Sequence, residues 1–331
     1  MAMGGMAKGL VLMSGGLDSQ LAVRVCEDAG AYVEAVVFET PFFGAEKGLK
    51  AARQLGIPVT VVDFTDDEIA LLKNPPHGFG RAMNPCIDCH AAMIRRAGAM
   101  MAEKGYDFVA TGEVLNQRPM SQNANSLRAV EISSGLEGRL LRPLSALLLE
   151  PTIPEREGIV ARERLLDLSG RRRDRQMELA GKFGIKEYPS PAGGCKLTEE
   201  AFGRKLKDLM VHEGLDSRRL VELLAVGRRF RLPGGSGVIL GRDMGDNAKL
   251  EAMRGPGETL FRPVNVPGPT ALVPRLSPCE RFLVAGLVAA WSRTDRLEGR
   301  VVVRMTGDGH VEEMSIPRPL GRTPYLNFQI V

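Results

Sequence analysis

The sequence predicts an α/β protein whose first part is a parallel sheet covered by helices and whose second, smaller part is an α+β domain. Three observations predict this. At 331 residues the chain exceeds the usual single-domain length of roughly 100–200 residues. Strand-like apolar runs alternate with helix-like segments through the first half. After Gly234 short β-rich segments dominate instead.

The elements follow in order. Residues 10–13 form an apolar run after a short lead, and 18–29 carry helical periodicity. Residues 32–38 read as a second strand, 45–55 as a second helix and 59–63 as a third strand, which completes a βαβαβ pattern. The amphipathic stretch 90–104 leads into a further strand at 107–110. Open sheets of this kind bind ligands at the carboxyl ends of their strands, so the loops after Met13, Phe38, Asp63 and Ala110 are the expected places for chemistry. Between 135 and 191 the prolines Pro143, Pro151, Pro154, Pro189 and Pro191 break any long element, and the segment reads as a connection draped over the first domain. Helical periodicity returns at 199–211 and 217–226. Strands are expected at 237–240 and 301–304, with a turn at Asp308-Gly309. The expected domains are 8–200 and 201–331, without internal repeats.

Composition is that of a folded protein, 44% hydrophobic and 25% charged. Residues 1–9 lack the apolar stretch of a signal peptide, and the longest apolar run, 282–291, is far below the ~20 residues of a membrane span. The expected location is therefore the cytoplasm, where five cysteines point to metal or catalytic ligands rather than to disulfides. Residues 1–200 carry 24 Lys+Arg against 26 Asp+Glu, whereas 201–331 carry 20 against 14, an asymmetry that suits a polyanion partner for the second domain.

Directly after the first strand comes Ser14-Gly15-Gly16-Leu17-Asp18-Ser19, at the entrance to a helix. Two glycines let the backbone approach an anion, successive N–H groups form a nest, and the helix N-terminus adds a favourable dipole. Ser14 and Ser19 add hydroxyl donors, and Asp18 is placed to help hold Mg²⁺ between phosphates. This run resembles the pyrophosphate loop (PP-loop) of the ATP pyrophosphatases, the adenine-nucleotide α-hydrolase-like fold. The resemblance implies ATP cleavage between the α and β phosphates, with the end of the second strand near Phe38 lining the adenine.

Cys86 and Cys89 form a C-x2-C loop in Asn84-Pro85-Cys86-Ile87-Asp88-Cys89-His90, and Cys195 follows Pro191-Ala192-Gly193-Gly194. Two thiolates so spaced reach one metal, and a glycine pair suits a third on a tight turn. Three thiolates leave one iron of an iron–sulfur cluster open; a structural zinc needs a fourth ligand, for which His90 is the candidate. Cys86-Ile87-Asp88-Cys89-His90 also fits the haem-attachment pattern, which the missing export signal argues against. Cys26 and Cys279 are expected to be incidental.

Asn-Pro-Cys-x-x-Cys together with Ala110-Thr111-Gly112-Glu113 resembles the tRNA thiouridine synthases. Many persulfide-type members have Asp in place of Cys86, and the 2-thiouridine enzymes have His where this chain has Glu113. A third thiolate is a feature of the cluster-dependent members. The resemblance implies a tRNA sulfurtransferase that adenylates a uridine carbonyl and replaces its oxygen by sulfur. ATP, Mg²⁺ and a [4Fe-4S] cluster on Cys86, Cys89 and Cys195 serve it, with zinc as the alternative metal, Thr111 and Gly112 beside the nucleotide, and sulfide or a persulfide carrier as donor. Gln117, Arg118 and Gln122 are expected to meet phosphate or RNA. Later, Gly237-Val238-Ile239-Leu240-Gly241-Arg242-Asp243 with Asn247, Glu258-Thr259-Leu260-Phe261 and Val266-Pro267-Gly268 is similar to the RNA-binding module of the NFACT proteins, with Leu260 and Arg262 in place of its usual Trp and His. This implies tRNA phosphate contacts from Arg228, Arg229, Arg231 and Arg242. Two other readings stay open: a small-molecule ligase or sulfur transferase with a zinc site, and a non-catalytic RNA- or ribosome-binding protein. Monomer and homodimer are equally compatible with the sequence.

Overall fold

The computed structural model describes residues 6–190, 194–295, 297–319 and 321–331. The chain divides into two compact units, 1–196 and 197–331.

The first unit is built on five parallel strands in the order β3-β2-β1-β4-β5: β1 (Lys8–Leu12), β2 (Tyr32–Glu39), β3 (Val59–Asp63), β4 (Phe108–Ala110) and β5 (Leu140–Leu141). The order reverses between β1 and β4, the type of switch point where ligands sit in open α/β sheets. Crossovers run through α1 (Leu17–Asp28), α2 (Glu46–Leu55), α3 (Thr65–Lys73), α4 (Cys86–Lys104) and α5 (Ala124–Ser134), followed by α6 (Ile153–Arg156) and α7 (Asp174–Lys182). Helices cover both faces, so the central strands are apolar on both sides. Leu10, Val36, Phe38 and Val109 pack with Phe64 and α4 on one face; Val11, Ala35, Val37 and Ala110 pack with α1 and α2 on the other.

The segment 135–190 is more than a connection. It supplies β5, extends the sheet beyond β4, and contributes α7, which packs on α1. The prolines confine it to short elements, and Thr152 and Glu155 close a capping box over α6.

The second unit contains α8 (Glu200–His212), α9 (Arg218–Glu222), β6 (Arg228–Arg231), β7 (Gly237–Leu240), α10 (Met244–Ala252), β8 (Thr259–Pro263), β9 (Ala271–Val273), α11 (Arg281–Trp291), β10 (Val301–Thr306), β11 (Val311–Ile316) and α12 (Thr323–Leu326). Its strands form one antiparallel sheet, β11-β10-β8-β9-β7-β6. Of the apolar run that begins at Phe282, residues 284–290 are the buried part of α11, in one core with Phe230, Phe261, Val301 and Val303, whereas Phe282 itself is exposed. No helix of the described residues is long and apolar enough to cross a membrane. Gly309, with φ of 68°, makes the Asp308-Gly309 turn between β10 and β11.

Candidate active site and nucleic-acid interface

The 14–19 turn leaves β1 and enters α1 with Gly16 as an N-cap that has no side-chain partner for the helix N–H groups. Those orphan donors suit an anion. Gly15 has φ of 80°, and a Cβ there would lie 2.4 Å from the Lys47 carbonyl, so only glycine fits. The Ser19 hydroxyl donates to the Gly16 carbonyl at 2.9 Å, and Ser14 Oγ lies 3.4 Å from both the Gly16 N–H and Ser19 Oγ. The loop after β4 lies against this turn: a Cβ on Gly112 would stand 2.6 Å from Asp18 C and Ser19 N.

Asp18 Oδ2 accepts from Gln117 Nε2 at 2.8 Å, and Gln176 Nε2 in turn donates to Gln117 Oε1 at 3.3 Å. Gln117, expected at phosphate or RNA, instead holds Asp18, because the loop after β4 turns back toward α1. Arg173, at the start of α7, approaches Asp18 Oδ1 at 3.7 Å. Asp18 Oδ1 and Arg173 Nε are both buried without a hydrogen-bond partner, an acceptor and a donor side by side. Unsatisfied buried groups of opposite kind at one turn fit a cation and a phosphate oxygen. Arg118 is exposed, whereas Gln122 is buried. The Phe38 ring is also buried, packed edge-on to Phe64 at 5.4 Å, so the strand end rather than an open aromatic face is what this position offers a nucleotide.

The cysteine loop is fixed from several sides. His77 donates its backbone N–H to Asp88 Oδ2 at 3.0 Å and brings Nδ1 within 2.6 Å of Oδ1, which ties the preceding loop to α4. Asn84 accepts from the Ala82 N–H and donates to Cys86 Sγ at 3.1 Å. Cys89 lies inward beside Phe38 and Phe64, its thiol donating to Glu68 Oε2 at 3.0 Å, while Glu68 Oε1 is buried without a partner. Burial first, then the Glu68 carboxylate, then Cys195 and Cys86 push the Cys89 thiol well above its ordinary range. The other two cysteines thus both act electrostatically on Cys89. Lys196, next to Cys195, donates its N–H to the Phe42 carbonyl at 3.0 Å, which docks that segment on the loop after β2. Pro191, Ala192 and Gly193 of the motif lie outside the described residues. Among the described residues the thiols do not stand as a ready-made metal-ligating group.

Thr111 and Glu113 face inward. Thr111 Oγ1 and Arg142 Nε donate to Glu113 Oε2 at 3.1 and 3.0 Å, and His90 Nδ1 lies 3.2 Å from Oε1. Burial alone would raise the Glu113 carboxyl, but Arg142 and His90 outweigh it and hold it at about 2. Arg142, Arg173, Gln176 and Glu68 carry no local sequence signal: each matters through a partner at least 20 residues away.

In the second unit the motif residues converge. Asn247 Oδ1 accepts from the Thr270 N–H at 2.9 Å, Asn247 Nδ2 donates to the Gly268 carbonyl, and a Cβ on Gly241 would clash with Asn247 at 2.1 Å. The arginines separate by face. Arg229 and Arg231 are tied to Asp208 and Glu213 at 2.6–2.9 Å, with Arg229 buried, so their charges are consumed inside the unit rather than offered to RNA phosphates. Arg242 is half exposed, although Asp246 holds it at 2.6 Å.

Residues 4–150 match the family described as thiamine biosynthesis protein (ThiI), and residues 227–320 match the NFACT protein RNA binding domain. The first unit is thus similar to the ThiI family over most of its length, and the second to the NFACT RNA binding domain. The chain is 31% identical over 147 residues to the tRNA-specific 2-thiouridylase MnmA of Cutibacterium acnes, covering 38% of this chain and 39% of that protein. It is also 31% identical over 146 residues to a probable tRNA sulfurtransferase of Thermoanaerobacter sp. (strain X514), covering 41% and 36%. The matched region thus spans less than two fifths of either relative. A crystal structure of a 4-thiouridine synthetase–RNA complex with bound ATP aligns over 66% of this chain and 53% of that one, at 21% identity and a TM-score of 0.39.

Proposed function

We propose that the chain is an ATP-dependent tRNA sulfurtransferase, acting in the cytoplasm, in which the ThiI-type unit activates a uridine carbonyl and the NFACT unit holds the tRNA. One observation supports the reading: a phosphate-type turn beside the Asp18–Arg173 pair, whose Oδ1 and Nε lack hydrogen bonds, and a cysteine loop in which Cys86 and Cys195 act on Cys89 both follow strands of one parallel sheet.

The chemistry follows from what each group can do. The 14–19 N–H groups and the Arg173 guanidinium would neutralise charge developing on the ATP phosphates, with Asp18 Oδ1 available to Mg²⁺. Attack of the uridine oxygen on the α-phosphorus releases pyrophosphate. When sulfur then bonds to the carbon, the C–O bond breaks and the oxygen leaves as part of AMP. The three thiolates are a soft donor set that suits a [4Fe-4S] cluster, which would supply an iron free of cysteine to carry sulfur. Glu113 keeps His90 oriented beside that set.

The test is mass spectrometry of nucleosides in tRNA from a strain lacking the protein. Loss of one thionucleoside is expected; an unchanged profile sinks the proposal. Iron and acid-labile sulfide should accompany the anaerobically purified protein, and Ser at Cys86, Cys89 or Cys195 should remove them while Cys26→Ser and Cys279→Ser do not; stoichiometric zinc would reject the cluster.

A further inference from the structure

Gln20, in the first part of α1, is fully buried. Burying a carboxamide is unfavourable unless its polar atoms find partners, and a hydrocarbon side chain of similar size would fill the same space at less cost. Here both polar atoms are used. Nε2 donates to the Gly15 carbonyl at 3.2 Å and to the Glu187 carbonyl at 3.1 Å, and Oε1 accepts from Gln54 Nε2 at 3.0 Å. One side chain thus joins the phosphate-type turn, α2 and a segment 167 residues further along the chain.

That segment is held in an unusual way. Residues 186–190 are exposed and belong to no helix or strand. The backbone of Glu187 is nevertheless bound on both sides by side chains. Its N–H donates to Gln54 Oε1 at 3.2 Å, and its carbonyl accepts from Gln20 and, at 3.4 Å, from Gln54 Nε2. The ion pair between Lys50 and the Glu187 carboxylate is exposed on both sides and adds little. Gln20 and Gln54 therefore make a latch, and from Glu187 the chain runs on to Cys195.

The bond to Gly15 says what the latch senses. The Gly15 carbonyl and the Gly16 N–H are the two ends of one planar peptide unit and point in opposite directions. Gln20 holds the carbonyl end, while the N–H end has only a long 3.4 Å contact with Ser14 Oγ. An anion bound to that N–H fixes the peptide plane and polarises its carbonyl, which strengthens the bond to Gln20. We infer that Gln20 is a positioning residue that couples nucleotide binding at the 14–19 turn to the latching of residues 185–190, the stretch that leads to Cys195. The inference rests on the ATP reading of the turn and gives it a second consequence.

The experiment uses the full chain. Lys186 immediately precedes Glu187, so trypsin cleavage after Lys186 requires the segment to leave the latch. Cleavage is followed site by site by mass spectrometry with and without ATP and Mg²⁺, and ATP affinity is measured by calorimetry. ATP should slow cleavage after Lys186 about fivefold or more, the lower end of a typical coupling between sites. Cleavage after Arg275, an exposed arginine of the second unit, should not respond. Gln54→Met, at an exposed position, should speed cleavage without ATP and remove most of the ATP effect. Because coupling is reciprocal, it should lower ATP affinity by no more than the factor by which ATP slows cleavage of the wild type. Gln20→Met, unbranched and of similar size, should lose the ATP effect as well. If the wild type binds ATP and cleavage after Lys186 does not change, or if both variants keep the wild-type response, the coupling is wrong while the ATP reading stands. If the wild type binds no ATP, the ATP reading itself falls and the coupling with it.

Discussion

At the scale of single residues, the same side-chain type does opposite work depending on what faces it. Arg229 is buried against Asp208 and Glu213, so removing it leaves Arg231 alone to offset two carboxylates. Arg229→Met should therefore cost about 3–5 kcal/mol of stability in urea unfolding and leave the salt slope of RNA binding unchanged. Glu113 gives a second case. Its folded carboxyl, at about 2, lies below the value of an unfolded glutamate, so the stability it contributes is complete above pH ~4.5 and is lost as pH falls toward 2. Glu113→Gln should be less stable at neutral pH, because Arg142 loses its closest carboxylate, and its unfolding midpoint should fall less steeply than wild type between pH 4.5 and 2. Equal acid slopes in the two proteins would show that Glu113 is not the group that titrates.

At the scale of elements, the first unit depends on backbone passing close to backbone. Gly15 and Gly112 bring β1–α1, α2 and the loop after β4 into contact at distances that no Cβ allows. Gly112→Ala should push that loop off the Asp18 turn, release the Gln117–Asp18 bond and weaken ATP binding at least tenfold by calorimetry, even if the fold survives. ATP binding at wild-type affinity would show that the close approach is not needed. This level is also where the sequence speaks most clearly. The 14–19 run and the βαβαβ alternation are written in consecutive residues, so turn and sheet could be read without coordinates. The role of 135–190 could not, since β5 is two residues long and gains its identity only by pairing with β4. Gln117 was legible as a polar loop residue, but its partner is 99 residues away, and nothing local distinguishes a hydrogen bond to Asp18 from a contact to RNA. The arginines of β6 show the same limit: charge is visible in the sequence, and the carboxylates that cancel it, Asp208 on α8 and Glu213 just after it, are not.

At the scale of the molecule, the proposed reaction assigns different terms of the rate law to the two units. Phosphate contacts from the second unit would be made equally in the bound substrate and in the transition state, so losing one should raise KM for tRNA and leave kcat alone. Groups around Asp18 act on charge that grows as the α-phosphorus is attacked, so losing one should lower kcat. With AMP formation measured at varied tRNA and saturating ATP, Arg228→Gln is expected to raise KM about 3–10-fold at constant kcat, in line with its loss of one phosphate contact. Asp18→Asn keeps the size of the side chain and its bond to Gln117 but removes the charge offered to a cation, and it is expected to lower kcat about 10²–10³-fold with KM for tRNA unchanged. A fall in kcat on Arg228→Gln as large as that on Asp18→Asn would mean that RNA docking and activation are not separable in this chain, and the division of labour between the units would have to be abandoned.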